Sequence, residues 1–514
     1  MNVAYKIVEI LESEDILDVF GIPGEQILPL YEALSKSNIN HVLTRHEQAA
    51  AHAADGYYRS SGKIGVCITT ASPGALNTTM AVATAFKDNI PILLLTGDNE
   101  LKYRNSDYFQ STPQVDIFKH ITSTSFNPLN GTEAIFMLKA AIYELKNNPI
   151  GPVHINFSKD ILLCEDFRDI DLCYMCENDL SNISDAQKLI DKSKKPLFIL
   201  GAGAISQRDK IEKISTCCKI PVTTTFHAKG IISDENDLNL GLCGIRATDR
   251  ANYAFSNADC IIGLGIKGSE RTLPYLPDNF IHVNINKDVL IGDCPIYAKV
   301  EDFLSQITFK KTDWLEEILH YGGSYHFTGL NDNLKPQAAI KRILEKFDDN
   351  IIVSDAGSHT TWTAFLKKSQ KPRQLLFSGA MAPMGYAIPA AIGASFAVDE
   401  KIIIINGDGD FQMNLQELAT LKENNLDIII FILNNSELGI IRQWEDMFYD
   451  MEHYQIKLNN PDFIRLAASY GIEAVRIDDL DDLNYLLDKN LKGPLVVEIT
   501  VDREDIPLPS KSNA

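Results

Sequence analysis

Apolar runs of strand length alternate with segments of helical period along the whole chain, and the alternation restarts twice. Ile64–Thr69, Ile90–Leu95, Leu197–Leu200, Ile351–Ser354, Lys401–Asn406 and Ile428–Leu433 are nearly continuous in apolar residues. Such runs belong to strands covered on both faces of a parallel sheet. Between them lie helical-period stretches, one opening at Arg45 and another running from Phe411 to Lys422. The pattern predicts an α/β protein built of three open, mostly parallel α/β domains. Polar stretches at 165–184 and 321–335 read as linkers, which gives units 1–164, 185–320 and 336–514. The repetition is of architecture and shows no sequence period.

The turns between these elements carry the chemistry. Gly407-Asp408-Gly409 follows one apolar strand, and Asn434-Asn435 ends the next. Glycines there let backbone N–H groups approach an anion, and a helix start beyond adds favourable partial charge. Asp408 and the Asn435 side-chain carbonyl are hard oxygen ligands, suited to Mg²⁺ with diphosphate oxygens completing its shell. Two ordinary strand ends with turn residues are the plainer reading of the same pattern. Thr70–Asn77 (TASPGALN) predicts a Gly/Pro loop after a strand, and Gly379–Gly393 predicts a small-residue turn entering a helix.

Composition narrows the classes. With 514 residues, 45% hydrophobic and 23% charged, the chain is an ordinary globular protein too long for one core. Its net charge of −21 argues against nucleic acid and anionic membrane as partners. The start, MNVAYKIVEILESEDI, carries acids in an amphipathic pattern and is no signal peptide. No uncharged run reaches membrane-spanning length. Nine cysteines, an odd number in mostly apolar contexts, suit a reducing compartment, and a cytoplasmic protein is expected. Cys173 and Cys176 form a CxxC, but the second ligand pair of a zinc site is missing nearby. Gly263–Gly268 (GLGIKG) satisfies GxGxxG after a strand. The segment after it, SERTLPYLPDN, holds two prolines and is a poor helix start, so a dinucleotide site lacks its second half.

Three stretches, RHEQAA from Arg45, TASPGALN from Thr70 and GAMAPMGYAIPAAIG from Gly379, together with GDG and NN, are the basis of a resemblance. The chain resembles the acetohydroxyacid (acetolactate) synthase large-subunit group of thiamin diphosphate enzymes. The likeness runs from GIPGEQILPLYEAL at Gly21 to RQWEDMFYD and is specific in the outer thirds, looser in the middle. It implies an aminopyrimidine-binding N-terminal domain, a central domain that can carry FAD, and a C-terminal domain for diphosphate and Mg²⁺. Glu47 would be the carboxylate at the cofactor's pyrimidine nitrogen, favouring the imino tautomer that removes the C2 proton. Met384 would wedge the cofactor's two rings into a bent shape, with the Ala382 carbonyl accepting from the 4′-amino group. Pro73 and Asn77 would line the aminopyrimidine side, where Ser72 replaces a commoner glycine. Ser358, His359, Gly407, Gly409, Leu438 and Gly439 would contact the diphosphate side. Asp408, Asn435 and the Glu437 backbone oxygen would bind the metal. Asp410 departs from the small hydroxyl residue usual after GDG, and a second carboxylate there would repel diphosphate unless it faces away or binds metal.

The resemblance also implies the reaction. Pyruvate would lose CO₂, and the remaining two-carbon unit would join a second 2-oxo acid, pyruvate or 2-oxobutyrate, on the branched-chain amino-acid route. Arg271 would hold the acceptor carboxylate and Trp444 its side chain, while Gln110 and Lys159 would stabilise developing negative charge. In Leu240–Arg246, Ile245 and Arg246 stand where methionine and histidine are usual, which leaves room for a different acceptor. Two alternatives remain: a simple 2-oxo acid decarboxylase, and a non-catalytic cofactor-binding paralogue. A homodimer or homotetramer is implied, since the cofactor would lie between the first domain of one chain and the third of another, with room for a small regulatory subunit.

Overall fold

Three six-stranded sheets follow one another along the chain, each wholly parallel. The computed structural model describes residues 1–507 apart from 105, 173–177, 322–324, 326 and 450; the Cys173/Cys176 pair therefore lies outside the described residues. In the first sheet β1 (Asp18–Gly21), β2 (Asn40–Leu43), β3 (Gly65–Thr69), β4 (Ile92–Asp98), β5 (Thr124–Phe126) and β6 (Val153–Ser158) stand in the order β2-β1-β3-β4-β6-β5. The second contains β7 (Pro196–Leu200), β8 (Val222–Thr224), β9 (Asn239–Leu242), β10 (Cys260–Leu264), β11 (Phe280–Asn284) and β12 (Cys294–Tyr297), in the order β12-β11-β10-β7-β8-β9. The third has β13 (Ile351–Ser354), β14 (Leu375–Leu376), β15 (Ile402–Gly407), β16 (Ile428–Asn434), β17 (Glu473–Ile477) and β18 (Leu495–Thr500), in the order β14-β13-β15-β16-β18-β17. The central strands β3, β4, β7, β10 and β13 are buried along their whole length, as their unbroken apolar runs require. Among the described residues no helix lies between β10 and β11, so β10 lacks the element that a dinucleotide fingerprint needs next.

The first and third sheets are joined by one pair of helices. Glu47–Ser61 crosses Ala387–Ala397, and the crossing is made of small residues. A Cβ at Gly56 would stand 2.0 Å from the Ala390 carbonyl oxygen, and one at Gly393 would stand 1.8 Å from that of Ala53. Only glycine permits backbones this close. The register runs the pair antiparallel, so the start of the first helix and the start of the second lie at opposite ends.

Two local expectations change. Ser72–Asn77 is a short helix rather than a loop; Pro73 sits in its first turn, where proline loses no hydrogen bond. The single helix expected over Phe411–Lys422 is broken into Asp408–Phe411, a 3₁₀ turn at Leu415–Glu417 and Leu418–Glu423. The break has a side-chain cause: Asn414 Nδ2 donates to the Gly385 carbonyl at 2.6 Å. An asparagine that turns to bind backbone elsewhere competes with helix continuation. Among the described residues no helix is long and apolar enough to cross a membrane.

Candidate active site

The C-terminal ends of β13, β15 and β16 meet at one edge of the third sheet, and the residues singled out there converge. β15 delivers Asp408 and β16 delivers Asn435. A Cβ on Gly409 would lie 3.2 Å from Met384 Cε, 3.2 Å from Leu458 Cδ1 and 3.3 Å from Leu438 Cδ2. A Cβ on Gly439 would lie 3.3 Å from Asn435 Nδ2 and 3.9 Å from Ser358 Oγ. The turn, the methionine, the asparagine and the start of the helix Ser358–Leu366 thus share one small space.

Hydrogen bonds fix its geometry. Asp408 is 2% exposed, and its Oδ2 accepts from Asn460 Nδ2 at 2.6 Å. Burial pushes its carboxyl above the ordinary value, against the pull of that bond and of nearby backbone N–H groups. Asn435 Oδ1 accepts from Glu437 N at 3.0 Å, in a turn where Ser436 is left-handed at φ 56°. Asp355, the first residue after β13, accepts from the N–H groups of Ala356, Gly385 and Ala387 at 2.8, 2.9 and 2.7 Å. It thereby holds the Met384 turn against β13, with Asn414 on the other side of Gly385. The backbone at Ala382 is left-handed at φ 47°, and its N–H donates to Ser378 Oγ at 3.1 Å.

The Asp410 departure has a structural account. Its carboxylate turns back to the Gly407 N–H at 3.2 Å, as an acid in the first helical turn does, and stands 3.5 Å from His359 Nε2. Burial, then the neighbouring Asp355, holds its carboxyl well above the ordinary carboxylate range. His359 is buried, and burial pushes its imidazole down to about 4, so it is neutral at pH 7.

The donor set suits a diphosphate with a hard cation. Among the described residues Ser358 Oγ and His359 Nε2 are buried without a hydrogen-bond partner, a cost that a bound anion would remove. The glycines leave a cradle that side chains would fill, and Asp408, Asn435 and the Glu437 backbone offer oxygen. The Glu437 side chain points elsewhere, onto Arg503.

The second group of expected residues gathers on the first sheet. Glu47 begins its helix, and its Oε2 accepts from Asn77 Nδ2 at 2.9 Å. A Cβ on Gly74 would lie 3.3 Å from Glu47 Oε1, so the Pro73–Asn77 turn leans on this carboxylate. Ser72 Oγ meets Thr112 Oγ1 at 2.7 Å and ties that turn to the loop of Gln110. Gln110 is left-handed at φ 57°, next to Phe109, whose carbonyl accepts from Asn99 Nδ2 at 2.9 Å. Lys159, just past β6, is 3.2 Å from Glu25 Oε1.

Within one chain these two groups stand apart. Glu47 is at the start of one helix of the antiparallel pair and Met384 lies just before the start of the other. Nine residues of helix from Gly56 back to Glu47 alone cover about 13 Å. Arg271 is exposed and lies in the connection between β10 and β11 of the second sheet, where its carbonyl accepts from Ile245 N at 3.0 Å. Trp444 is half-buried on the helix Gly439–Phe448 and stacks on Phe448, centroids 5.4 Å apart. Arg246 donates from Nη1 to the Pro507 carbonyl at 2.7 Å.

Sequence reasoning missed Asp355, Asn414 and Asn460. An acid at the end of a buried strand was a readable signal for the first; the other two act across more than twenty residues and left none.

Residues 1–119, 183–307 and 355–499 match, in that order, the N-terminal TPP binding, central and C-terminal TPP binding domains of the thiamine pyrophosphate enzymes. The chain is 34% identical to a probable acetolactate synthase large subunit of Methanococcus aeolicus, over 98% of this chain and 92% of that one. It is 33% identical to the acetolactate synthase large subunits of Cyanidium caldarium (99% and 96% covered) and Lactococcus lactis (96% and 91% covered).

Proposed function

The chain belongs to the acetolactate synthase large-subunit family of thiamine pyrophosphate enzymes, and on that premise we propose that it decarboxylates pyruvate and ligates the two-carbon unit to a second 2-oxo acid. Thiamin diphosphate, when bound, supplies the nucleophilic carbon that adds to the 2-oxo group. The observation that carries the reading is the convergence of Met384, Gly409, Leu438 and Asn435 around the Asp408 turn. Asp408, Asn435 and the Glu437 carbonyl would hold Mg²⁺, and Ser358 and His359 would bind diphosphate oxygens. Met384 would set the angle of the cofactor. Glu47, fixed by Asn77, would hold the proton at the pyrimidine nitrogen. Gln110 and Lys159 would donate to oxygens on which charge develops.

Separation of the two residue groups supports a second copy as a partner. The Glu47 group of one chain would face the Asp408 group of another, making a homodimer the smallest active unit. A small regulatory subunit is compatible with this arrangement.

The test is a product assay with pyruvate, thiamin diphosphate and Mg²⁺, resolving acetolactate from acetaldehyde. Acetolactate is expected; acetaldehyde alone would make the chain a simple decarboxylase. In the central unit the glycines at the sheet edge are spent on loop packing. A Cβ at Gly201 would lie 2.1 Å from the Gly265 oxygen, and Gly265, at φ 59°, lies against Gly203. The same assay run with and without FAD tests whether the central unit carries a flavin: a rate that depends on added FAD would give it one.

Trp444 tests the acceptor site. Trp444→Leu is expected to lower the preference for 2-oxobutyrate over pyruvate about tenfold or more, the scale on which a pocket reads one methylene. Competition between the two acceptors reads it; an unchanged ratio removes Trp444 from the site.

A further inference from the structure

Asp408 and Asn435 sit at the ends of neighbouring strands, and strand ends alone do not fix a carboxylate. What fixes it comes from outside the sheet. After the helix Gly439–Phe448 the chain returns and lies antiparallel along the turn that follows β16. Leu438 N donates to the Ile456 carbonyl and Leu458 N to the Ser436 carbonyl, each at 2.8 Å. Two residues on, Asn460 Nδ2 donates to Asp408 Oδ2 at 2.6 Å and to Asn434 Oδ1 at 3.0 Å. Its Oδ1 accepts from Gln412 Nε2 at 3.0 Å, and the same Gln412 nitrogen is 3.0 Å from the Asp408 carbonyl.

The amide is thus used at both ends, which leaves it one orientation. Both Nδ2 protons are committed, one to each strand, so a flipped amide would set oxygen against oxygen. Asn434 Oδ1, the second acceptor, also takes the Ser436 N–H at 3.1 Å and so shapes the turn that presents Asn435 and the Glu437 carbonyl. The segment is anchored just beyond. Asp462 caps the next helix, accepting from Ile464 N and Arg465 N at 3.1 Å. Phe463, fully buried, meets Phe411 of the Asp408 helix edge-on at 5.4 Å.

We propose that Asn460 is a positioning residue for the metal site: it holds Asp408 Oδ2 so that the other carboxylate oxygen is presented to the cation, and it locks the Asn434–Glu437 turn in register with it. This rests on the reading of Asp408, Asn435 and Glu437 as metal ligands. Asn460 itself does not touch the cation in this role.

The experiment measures Mn²⁺ binding in the presence of thiamin diphosphate by electron paramagnetic resonance, alongside thermal unfolding without cofactor and the Mg²⁺ dependence of turnover. Asn460→Ala is expected to raise the Mn²⁺ Kd at least tenfold. Excess Mg²⁺ is expected to restore kcat to within about threefold, a split that a general loss of structure would not give. Asn460→Asp keeps the shape, removes both donors and puts a carboxylate against Asp408, so it should weaken diphosphate binding further. Gln412→Ala removes the partner of Oδ1 but leaves both Nδ2 donations in place, and should raise the Kd less than Asn460→Ala. Wild-type Mn²⁺ affinity in both Asn460 variants would overturn the proposal, as would a kcat that no Mg²⁺ concentration restores in a protein of unchanged thermal stability. Failure of the wild-type protein to bind Mn²⁺ with thiamin diphosphate would instead overturn the metal reading beneath it.

Discussion

Replacing Glu47 with glutamine is expected to lower kcat by about 10²–10⁴-fold, the range a positioned proton-transfer group supplies. Glutamine keeps the shape and can still accept from Asn77, which now bonds Oε2 at 2.9 Å. It cannot hold a proton between itself and a ring nitrogen. KM for pyruvate and cofactor affinity should therefore change little while kcat falls, the signature of an interaction made in the transition state rather than on binding. Hydrogen–deuterium exchange at the cofactor's C2 position, followed by NMR after acid quench, should slow by a similar factor. Normal exchange with normal kcat would show that Glu47 is an ordinary acid at a helix start, where acids are common. Loss of cofactor binding with normal folding would give it a binding role instead.

The outer thirds of this site were legible because each functional turn follows a buried strand. Ile351–Ser354, Lys401–Asn406 and Ile428–Leu433 announce their strands by apolar content alone, and the residues just after them are the ones that meet at the sheet edge. Glycine at 407 and 409, and paired asparagines, then have few other reasons to stand together. What joins separate strands was not legible. Asn414 and Asn460 look like turn residues in sequence, yet one ends a helix to grip Gly385 and the other clamps Asp408. The short helix at Ser72–Asn77 was hidden by its proline and glycine, whose usual meaning is a loop. Ser72 and Asp410, the two departures in the cofactor motifs, each have a local partner, Thr112 and the Gly407 N–H. The central third was least readable because its glycines serve one another.

Arg59→Met is expected to destabilise the protein by about 3–5 kcal/mol, the range for removing one partner from a buried ion pair. Arg59 is 6% exposed on the helix Glu47–Ser61 and satisfies three neighbours at once. Nε bonds Asp55 Oδ1 at 2.6 Å, Nη2 bonds Asp88 Oδ2 at 2.7 Å, and Nη1 donates to the Phe377 carbonyl at 3.0 Å. Asp55 also takes the Tyr386 hydroxyl at 2.7 Å, and Asp88 takes the N–H groups of Gly379 and Ala380, each at 3.0 Å. The cluster therefore fastens the chain on both sides of Ala382 and Met384 to the first sheet, and the variant should lose thiamin diphosphate affinity as well as stability. The pH dependence has a definite sign. Burial alone would raise the Asp88 carboxyl, but Arg59, His227 and the backbone N–H of Gly379 outweigh it and hold it below its ordinary value. That wild-type contribution is present above the unfolded carboxylate range, near pH 4, and is lost only as pH falls through the lower folded value. Without Arg59 the sign reverses. Asp88 would keep its burial and lose the guanidinium that outweighs it, the folded state would take up a proton there more readily than the unfolded, and stability would rise on going from pH 7 to pH 5. Thermal unfolding of the two proteins across that interval should show the gap narrowing as pH falls. A constant gap would mean that Asp55 and Asp88 are held by their backbone and tyrosine partners without the guanidinium.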